Sequence, residues 1–212
     1  MARNSLILYI LRCRSVEVDN VPDILAAITP IVEALEELGI PYHIGGSVAS
    51  SLYGLPRLTI DADLVADIRM KHVRPLVEQL ETDYYIDEDM IRDAIRRQSS
   101  FNVIHQDTIL KVDIFISKSR LFDQEELRKV RQEVLSEGTR PFNIASPEGT
   151  ILNKLEWFRM GGEVSDRQWN DILGVLKVQG TNLDIEYLRH WAADLNVTDL
   201  LERAFVDAGL KD

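Results

Sequence analysis

Three aspartates and a glycine pair carry the chemistry that the residue types of this chain allow. Gly45-Gly46-Ser47 reads as a tight turn opening a short helix, a place where unpaired backbone N–H groups can hold a phosphate. Asp61 and Asp63 follow, one residue apart, in a stretch (59–66) that reads as a strand. Side chains alternate along a strand, so both carboxylates face one way while Ile60, Ala62 and Leu64 face the other. Two carboxylates on one face can seat a divalent cation. A third, Asp113, has the equivalent place in a strand over 109–116, where Val112, Ile114 and Ile116 form a core face and Lys111, Asp113 and Phe115 the opposite one.

Each feature also has an ordinary reading. Glycine pairs are routine turn material, and acidic pairs occur on solvated strands. Together they explain one another. Phosphoryl or nucleotidyl transfer needs Mg2+ held by oxygen ligands, a pair of ions can stabilise both attacking and leaving oxygens, and a triphosphate needs N–H donors close by.

The elements that position these residues follow from periodicity and punctuation. A helix starts at Asn20 with Pro22 in its first turn and runs to Leu38, with Pro30 expected to kink or divide it and Thr29 to cap the second segment. A strand over 42–44 leads into the glycine turn, a helix over 47–53 follows, and Gly54 and Pro56 close it. An amphipathic helix is read over 70–80, a weaker region at 84–86 and a charged helix over 89–97. A hairpin turns at Gln106-Asp107-Thr108 between strands over 100–105 and 109–116. The pattern loosens around 121–126, and a further antiparallel pair is read at 130–135 and 141–144. Beyond Ser146-Pro147-Glu148, a cap followed by a first-position proline, the chain reads as helical over 147–160, 166–178, 184–193 and 198–208.

Composition bounds the function classes. The 212 residues are enough for one large domain or two small ones, and 45% hydrophobic with 28% charged residues is ordinary for a globular chain. A net charge of −11 disfavours general nucleic-acid binding, and the clusters Arg92, Arg96, Arg97 and Arg128, Lys129, Arg131 read as solvated faces. The lone Cys13 permits no internal disulfide and fits a reducing compartment. The apolar run 6–11 is short, closed by Arg12 and Arg14, and lacks a cleavage pattern, so it reads as a buried strand or an ill-defined start rather than a secretory signal. With nothing approaching a membrane span, a cytoplasmic protein with no membrane partner is expected. Walker A, zinc and nucleophile-elbow motifs are absent, and His43, His72, His105 and His190 lack metal-ligand spacing.

Gly46-Ser47, thirteen intervening residues, Asp61-x-Asp63 and the later Asp113 on an apolar strand resemble the signature of the DNA polymerase β-like nucleotidyltransferase superfamily. Farther on, SPEGTILNKLEWFRMGG and SDRQWNDILGVL resemble the AbiEii-like nucleotidyltransferases, toxin halves of abortive-infection toxin–antitoxin systems. The likeness spans roughly residues 40–176. It implies an α+β fold, a nucleotidyltransferase-like mixed sheet flanked by helices over 1–145, followed by a C-terminal helical region over 146–212. It implies Asp61, Asp63 and Asp113 as ligands of two Mg2+ ions, Gly45, Gly46 and Ser47 on the triphosphate, and Lys154 on the first C-terminal helix as a further catalytic residue. Lys111 and Asp171 join the nucleotide-binding set.

Bland alternatives stay open for the outer residues. Lys154 can be a lysine lying along an amphipathic helix, Asp171 can pair with Arg167 at i, i+4, and Arg159 can pair with Glu156 or Glu163. Trp157, Phe158, Trp169 and Trp191 are most simply packing residues. The leading expectation is an enzyme that moves a nucleoside monophosphate from a nucleoside triphosphate to an acceptor hydroxyl and releases pyrophosphate. Family members suggest an RNA acceptor, a protein acceptor is the other macromolecular choice, and an antitoxin protein would be the regulatory partner. The competing expectation is a non-catalytic nucleotide-binding or protein-interaction module on the same fold.

Overall fold

The computed structural model describes residues 20–57 and 61–210. The readings made for the apolar run 6–11, Cys13 and the first residues of the 59–66 strand fall outside the described residues. Among the described residues seven strands, β1 (Tyr42–Ile44), β2 (Ala62–Ala66), β3 (Tyr84–Tyr85), β4 (Ser100–His105), β5 (Lys111–Ile116), β6 (Arg131–Val134) and β7 (Pro141–Ile144), form one mixed sheet. Its order is β3-β4-β5-β2-β1-β7-β6. β2 runs parallel to β5 and β1 parallel to β7, and the other neighbours are antiparallel.

The alternation read from the sequence decides which face each strand buries. Ala62, Leu64 and Ala66 of β2 and Val112, Ile114 and Ile116 of β5 are buried, while Asp63, Val65, Asp113 and Phe115 between them are only partly covered. One side of the sheet meets α1 (Asn20–Glu37) at β5 and α4 (Glu88–Arg97) at β4, with α3 (Val73–Leu80) packed between these helices. On the other side α2 (Gly46–Tyr53) lies against β2 and is itself covered by α6 (Pro147–Met160) and α7 (Asp166–Gln179).

Helices α8 (Ile185–Asp194) and α9 (Thr198–Ala208) complete the C-terminal part. The strands end at Ile144, yet one cluster of buried side chains runs continuously from Ala27 to Phe205. The start of α6 follows its sequence signals: Ser146 Oγ accepts the Gly149 N–H at 3.0 Å and Pro147 occupies the first turn. Such a cap contributes about 1 kcal/mol.

Four local readings change. First, α1 is a single helix despite Pro30, and Thr29 Oγ1 donates back to Leu25 O at 2.7 Å instead of capping a second segment. Next to the carbonyl that Pro30 leaves without its N–H, that of Ala26, the Ala27 carbonyl accepts the buried Tyr84 hydroxyl at 2.8 Å, a tertiary bond that ties the helix to β3 beside the proline. Second, β5 starts at Lys111 rather than Ile109, because Ile109 adopts φ 57° and its N–H closes a turn on His105 O. Third, residues 70–72 form a 3-10 turn ahead of α3. Fourth, the loosened stretch is a helix, α5 (Leu121–Arg128). Its buried face is Phe122 and Glu126, so a carboxylate stands where the apolar period needs a hydrocarbon.

Candidate active site

Glycine at position 46 is dictated by Asp63. Gly46 opens α2 at φ 53°, and a Cβ placed there would lie 1.8 Å from Asp63 Oδ2. A left-handed conformation and a carboxylate in contact with the backbone both exclude a side chain. The Gly45 N–H donates to the Asp63 carbonyl at 2.9 Å, and the Ser47 N–H is hydrogen-bonded to the Asp63 carboxylate. The start of α2 therefore grips Asp63 itself, where its dipole favours negative charge.

Asp63 and Asp113 are register partners across β2 and β5. Burial, and then the neighbouring Asp113 charge, push the Asp63 carboxyl above its ordinary range; Lys154 and the Ser47 N–H oppose this without cancelling it. Asp61 adds to the repulsion from just ahead of β2, outside the strand it was expected to share with Asp63. Lys111 Nζ lies 2.6 Å from Asp113 Oδ2. Among the described residues, no group of three or more His, Cys, Asp or Glu side chains is gathered to hold a metal ion. Even so, three carboxylates, Asp61, Asp63 and Asp113, act here against Lys111 and Lys154, and Lys154 is also bonded to Asp171, so negative charge is in excess, which is the electrostatic setting a divalent cation fits.

The C-terminal helices supply cations. Lys154 of α6 donates to Asp171 Oδ2 at 2.8 Å, and Arg57 binds the same carboxylate through two bonds, Nε to Oδ1 at 2.9 Å and Nη2 to Oδ2 at 3.0 Å. Burial alone would push the Asp171 carboxyl up, but the Arg57 and Lys154 bonds outweigh it and hold the group below the usual carboxylate range. Lys154 and Asp171 are thus one buried cluster, and the Arg167 alternative for Asp171 gives way to Arg57. Two glycines permit this close docking of α7 on the end of α2: a Cβ on Gly54 would lie 2.7 Å from Val175 N, and one on Gly174 3.1 Å from Leu55 N.

Arg57 is the residue that sequence reasoning missed. It stands four residues after the end of α2 and four before Asp61, and its partner lies 114 positions away in sequence. The remaining outer residues resolve differently. Arg159 pairs with Glu163 and Asp199, whereas Glu156 is held by Arg120. Phe158 and Trp169 pack on each other and Trp191 on Phe122 of α5, but Trp157 is 46% exposed and its ring meets Phe115 edge to face, ring centroids 5.7 Å apart. His43 is fully buried with both ring nitrogens unpartnered, and burial pushes its pKa down to about 4.

No protein-family model matches the chain, and no curated protein matches it in sequence. Solved structures do match. The solution structure of the antibiotic-resistance factor ANT(2'')-Ia superposes over 86% of this chain and 96% of its own, with 18% identity and a TM-score of 0.53. Its crystal structure with adenylyl-2''-tobramycin covers 82% and 97% at 17% identity and a TM-score of 0.52. An antigenic nucleotidyltransferase-like protein from Paracoccidioides brasiliensis covers 89% and 93% at 16% identity and a TM-score of 0.50. The chain has a nucleotidyltransferase fold. That fold is a mixed sheet flanked by helices with a helical C-terminal region, as the sequence implied. Among the described residues no helix is long and apolar enough to cross a membrane.

Proposed function

We propose that the protein is a Mg2+-dependent nucleotidyltransferase that moves a nucleoside monophosphate from a nucleoside triphosphate to an acceptor hydroxyl. The observation that carries this reading is the paired Asp63 and Asp113, set between the N-terminus of α2 and Lys154 on a nucleotidyltransferase fold. The acceptor oxygen attacks the α-phosphorus, a new P–O bond forms, the bond to the bridging oxygen breaks, and pyrophosphate leaves with the electron pair. Asp113 takes the hydroxyl proton.

Asp61, Asp63 and Asp113 would hold the metal, which when bound polarises phosphoryl oxygens and offsets their negative charge. Gly45, Gly46 and Ser47 form the turn against which the triphosphate lies. Lys154, held by Asp171, offsets charge that grows on the phosphates, and Lys111 exchanges Asp113 for a phosphate oxygen as the nucleotide enters. Arg57 ties the chain beyond α2 to α7 and keeps Asp171 charged. The AbiEii-like motifs extend the reading to the toxin of a toxin–antitoxin pair, tested by growth arrest on induction and its relief by a neighbouring gene product.

The test is to incubate the protein with each labelled nucleoside triphosphate, Mg2+ and total cell extract, then fractionate to find the labelled species. Equal labelling by wild type and Asp61→Ala would defeat the assignment. A second reading, a nucleotide-binding module without turnover, draws on the lysines already engaged by Asp113 and Asp171. Calorimetry separates the two: tight nucleotide binding without pyrophosphate release across acceptors supports the module.

A further inference from the structure

A second polar cleft opens at the N-terminal end of α6, away from the candidate active site. It has a volume of about 290 Å3, and its charged and polar lining includes Lys129 just beyond α5, Arg131 at the start of β6, Ser146 and Glu148 at the start of α6, and Asp184 and Tyr187 at the start of α8. None of the residues that line it belongs to the candidate active site. Ser146 precedes Lys154 by eight positions, about 12 Å along a helix.

The carboxylates of the cleft already take N–H groups, whereas its cations are not held by carboxylates. Glu148 Oε1 accepts the Asp184 N–H at 3.1 Å, and Asp184 Oδ1 caps α8 by accepting the Tyr187 N–H at 2.9 Å. Lys129 Nζ rests 3.9 Å from the centre of the Tyr187 ring and pairs with no carboxylate among the described residues. Arg131 comes no nearer than 3.8 Å to Glu148 Oε2, beyond hydrogen-bond distance. The Tyr187 hydroxyl is buried without a partner; burial, and then the Glu126 and Glu125 carboxyls, push its pKa up, so it keeps its proton to donate. Ser146 Oγ accepts the Gly149 N–H and also has a proton to give. Glu126, which meets Gly149 beside Ser146, is pushed up to about 8 by burial and is largely uncharged at neutral pH. Two helices, α6 and α8, begin at the cleft, and the dipole of each favours negative charge there.

We propose that this cleft is a second ligand site, and that it takes a small phosphate, as the free ion or as an ester, held by Lys129, Arg131 and the Tyr187 hydroxyl between the starts of α6 and α8. The proposal does not depend on the nucleotidyltransferase reading. A phosphate presents three oxygens that accept from several directions at once, which suits donors arriving from α5, β6, α6 and α8. Arg131 and Lys129 supply the charge, and the hydroxyls of Tyr187 and Ser146 supply neutral donors. The volume suits a small molecule and leaves no room for a polymer.

The whole chain is titrated by calorimetry, in metal-free buffer, with inorganic phosphate, ribose 5-phosphate, succinate and putrescine. One of the two phosphates should bind most tightly, and the tighter of them tells whether the ion or an ester is the ligand. Lys129→Gln and Arg131→Gln, both at exposed positions, should each weaken that binding about tenfold, and Tyr187→Phe by less. Lys111→Ala, in the candidate active site, should leave it unchanged. Loss with Lys111→Ala but not with Lys129→Gln would put the phosphate in the candidate active site and overturn the proposal. So would tighter binding of succinate or putrescine, binding of neither phosphate, or an affinity indifferent to all three cleft substitutions. None of these measurements reads nucleotide transfer, so failure here removes the cleft and leaves the catalytic reading standing.

Discussion

Asp63 and Asp113 face one another as register partners of β2 and β5, and the partly buried Asp63 is held above its ordinary carboxylate range by burial and by that neighbour. A carboxyl raised in the folded state contributes stability that is present at low pH and lost as pH rises through its folded pKa. At neutral pH this pair is therefore a strain on the free protein. Asp63→Asn should raise the melting temperature in the absence of divalent ions while abolishing transfer. Mg2+ should raise the melting temperature of the wild type and not of the variant. Thermal melts with and without Mg2+ check both statements, and a variant less stable than wild type in metal-free buffer would contradict them.

Gly46→Ala should damage both fold and function. The methyl would meet the Asp63 carboxylate, and φ 53° is strained for alanine. Denaturant unfolding should report a loss of about 1–3 kcal/mol. Alanine at Gly39, whose φ is also positive but which has nothing within 4 Å, should cost less.

Removing the Asp171 carboxylate leaves two cations facing each other in a largely buried place. Asp171→Ala should destabilise by about 3 kcal/mol. Arg57→Gln should be milder, because Lys154 still pairs with Asp171, and it should lower kcat more than it raises KM if Arg57 acts by holding Asp171 and Lys154 in place. Arg57→Lys should not restore activity, since a lysine cannot reproduce the two-bond geometry. Equal loss of stability in Arg57→Gln and Asp171→Ala would contradict this ordering.

Glu126 gives the clearest pH dependence. It is fully buried against Gly149, takes one hydrogen bond from Asn153 at 2.7 Å, leaves Oε1 unpartnered, and is pushed up to about 8 by burial. Its stabilising contribution is complete below its unfolded pKa and falls as pH rises to about 8. His43, lowered to about 4, has the opposite sign: its contribution is present above its unfolded pKa and lost as pH falls toward 4. From about pH 6.5 to 8 the Glu126 effect stands without it, at about 1.4 kcal/mol per pH unit. Glu126→Gln should flatten unfolding free energy over that range; an unchanged slope would contradict the assignment.

The parts of the site legible in the sequence were those set by short-range pattern. Alternation along β2 and β5 placed Asp63 and Asp113 on one face, and the Ser146-Pro147 signal placed the start of α6. Gly46 was legible as a turn, but not as a residue excluded by the Asp63 carboxylate, because that contact is made across space. Arg57 was hidden because its partner arrives from a helix far along the chain. The α5 helix was hidden because a buried Glu126 breaks the apolar period, and the continuity of α1 because tertiary packing overrides the local effect of Pro30.

The most direct measurement is pyrophosphate release from a mixture of nucleoside triphosphates and an acceptor-containing extract, compared between wild type, Asp63→Asn and Asp113→Asn with and without Mg2+. The account predicts release by wild type only, dependent on Mg2+ and accompanied by transfer of the nucleotide label. Release of equal size from both variants, or none from a wild type supplied with Mg2+, every nucleotide and the full extract, would contradict it.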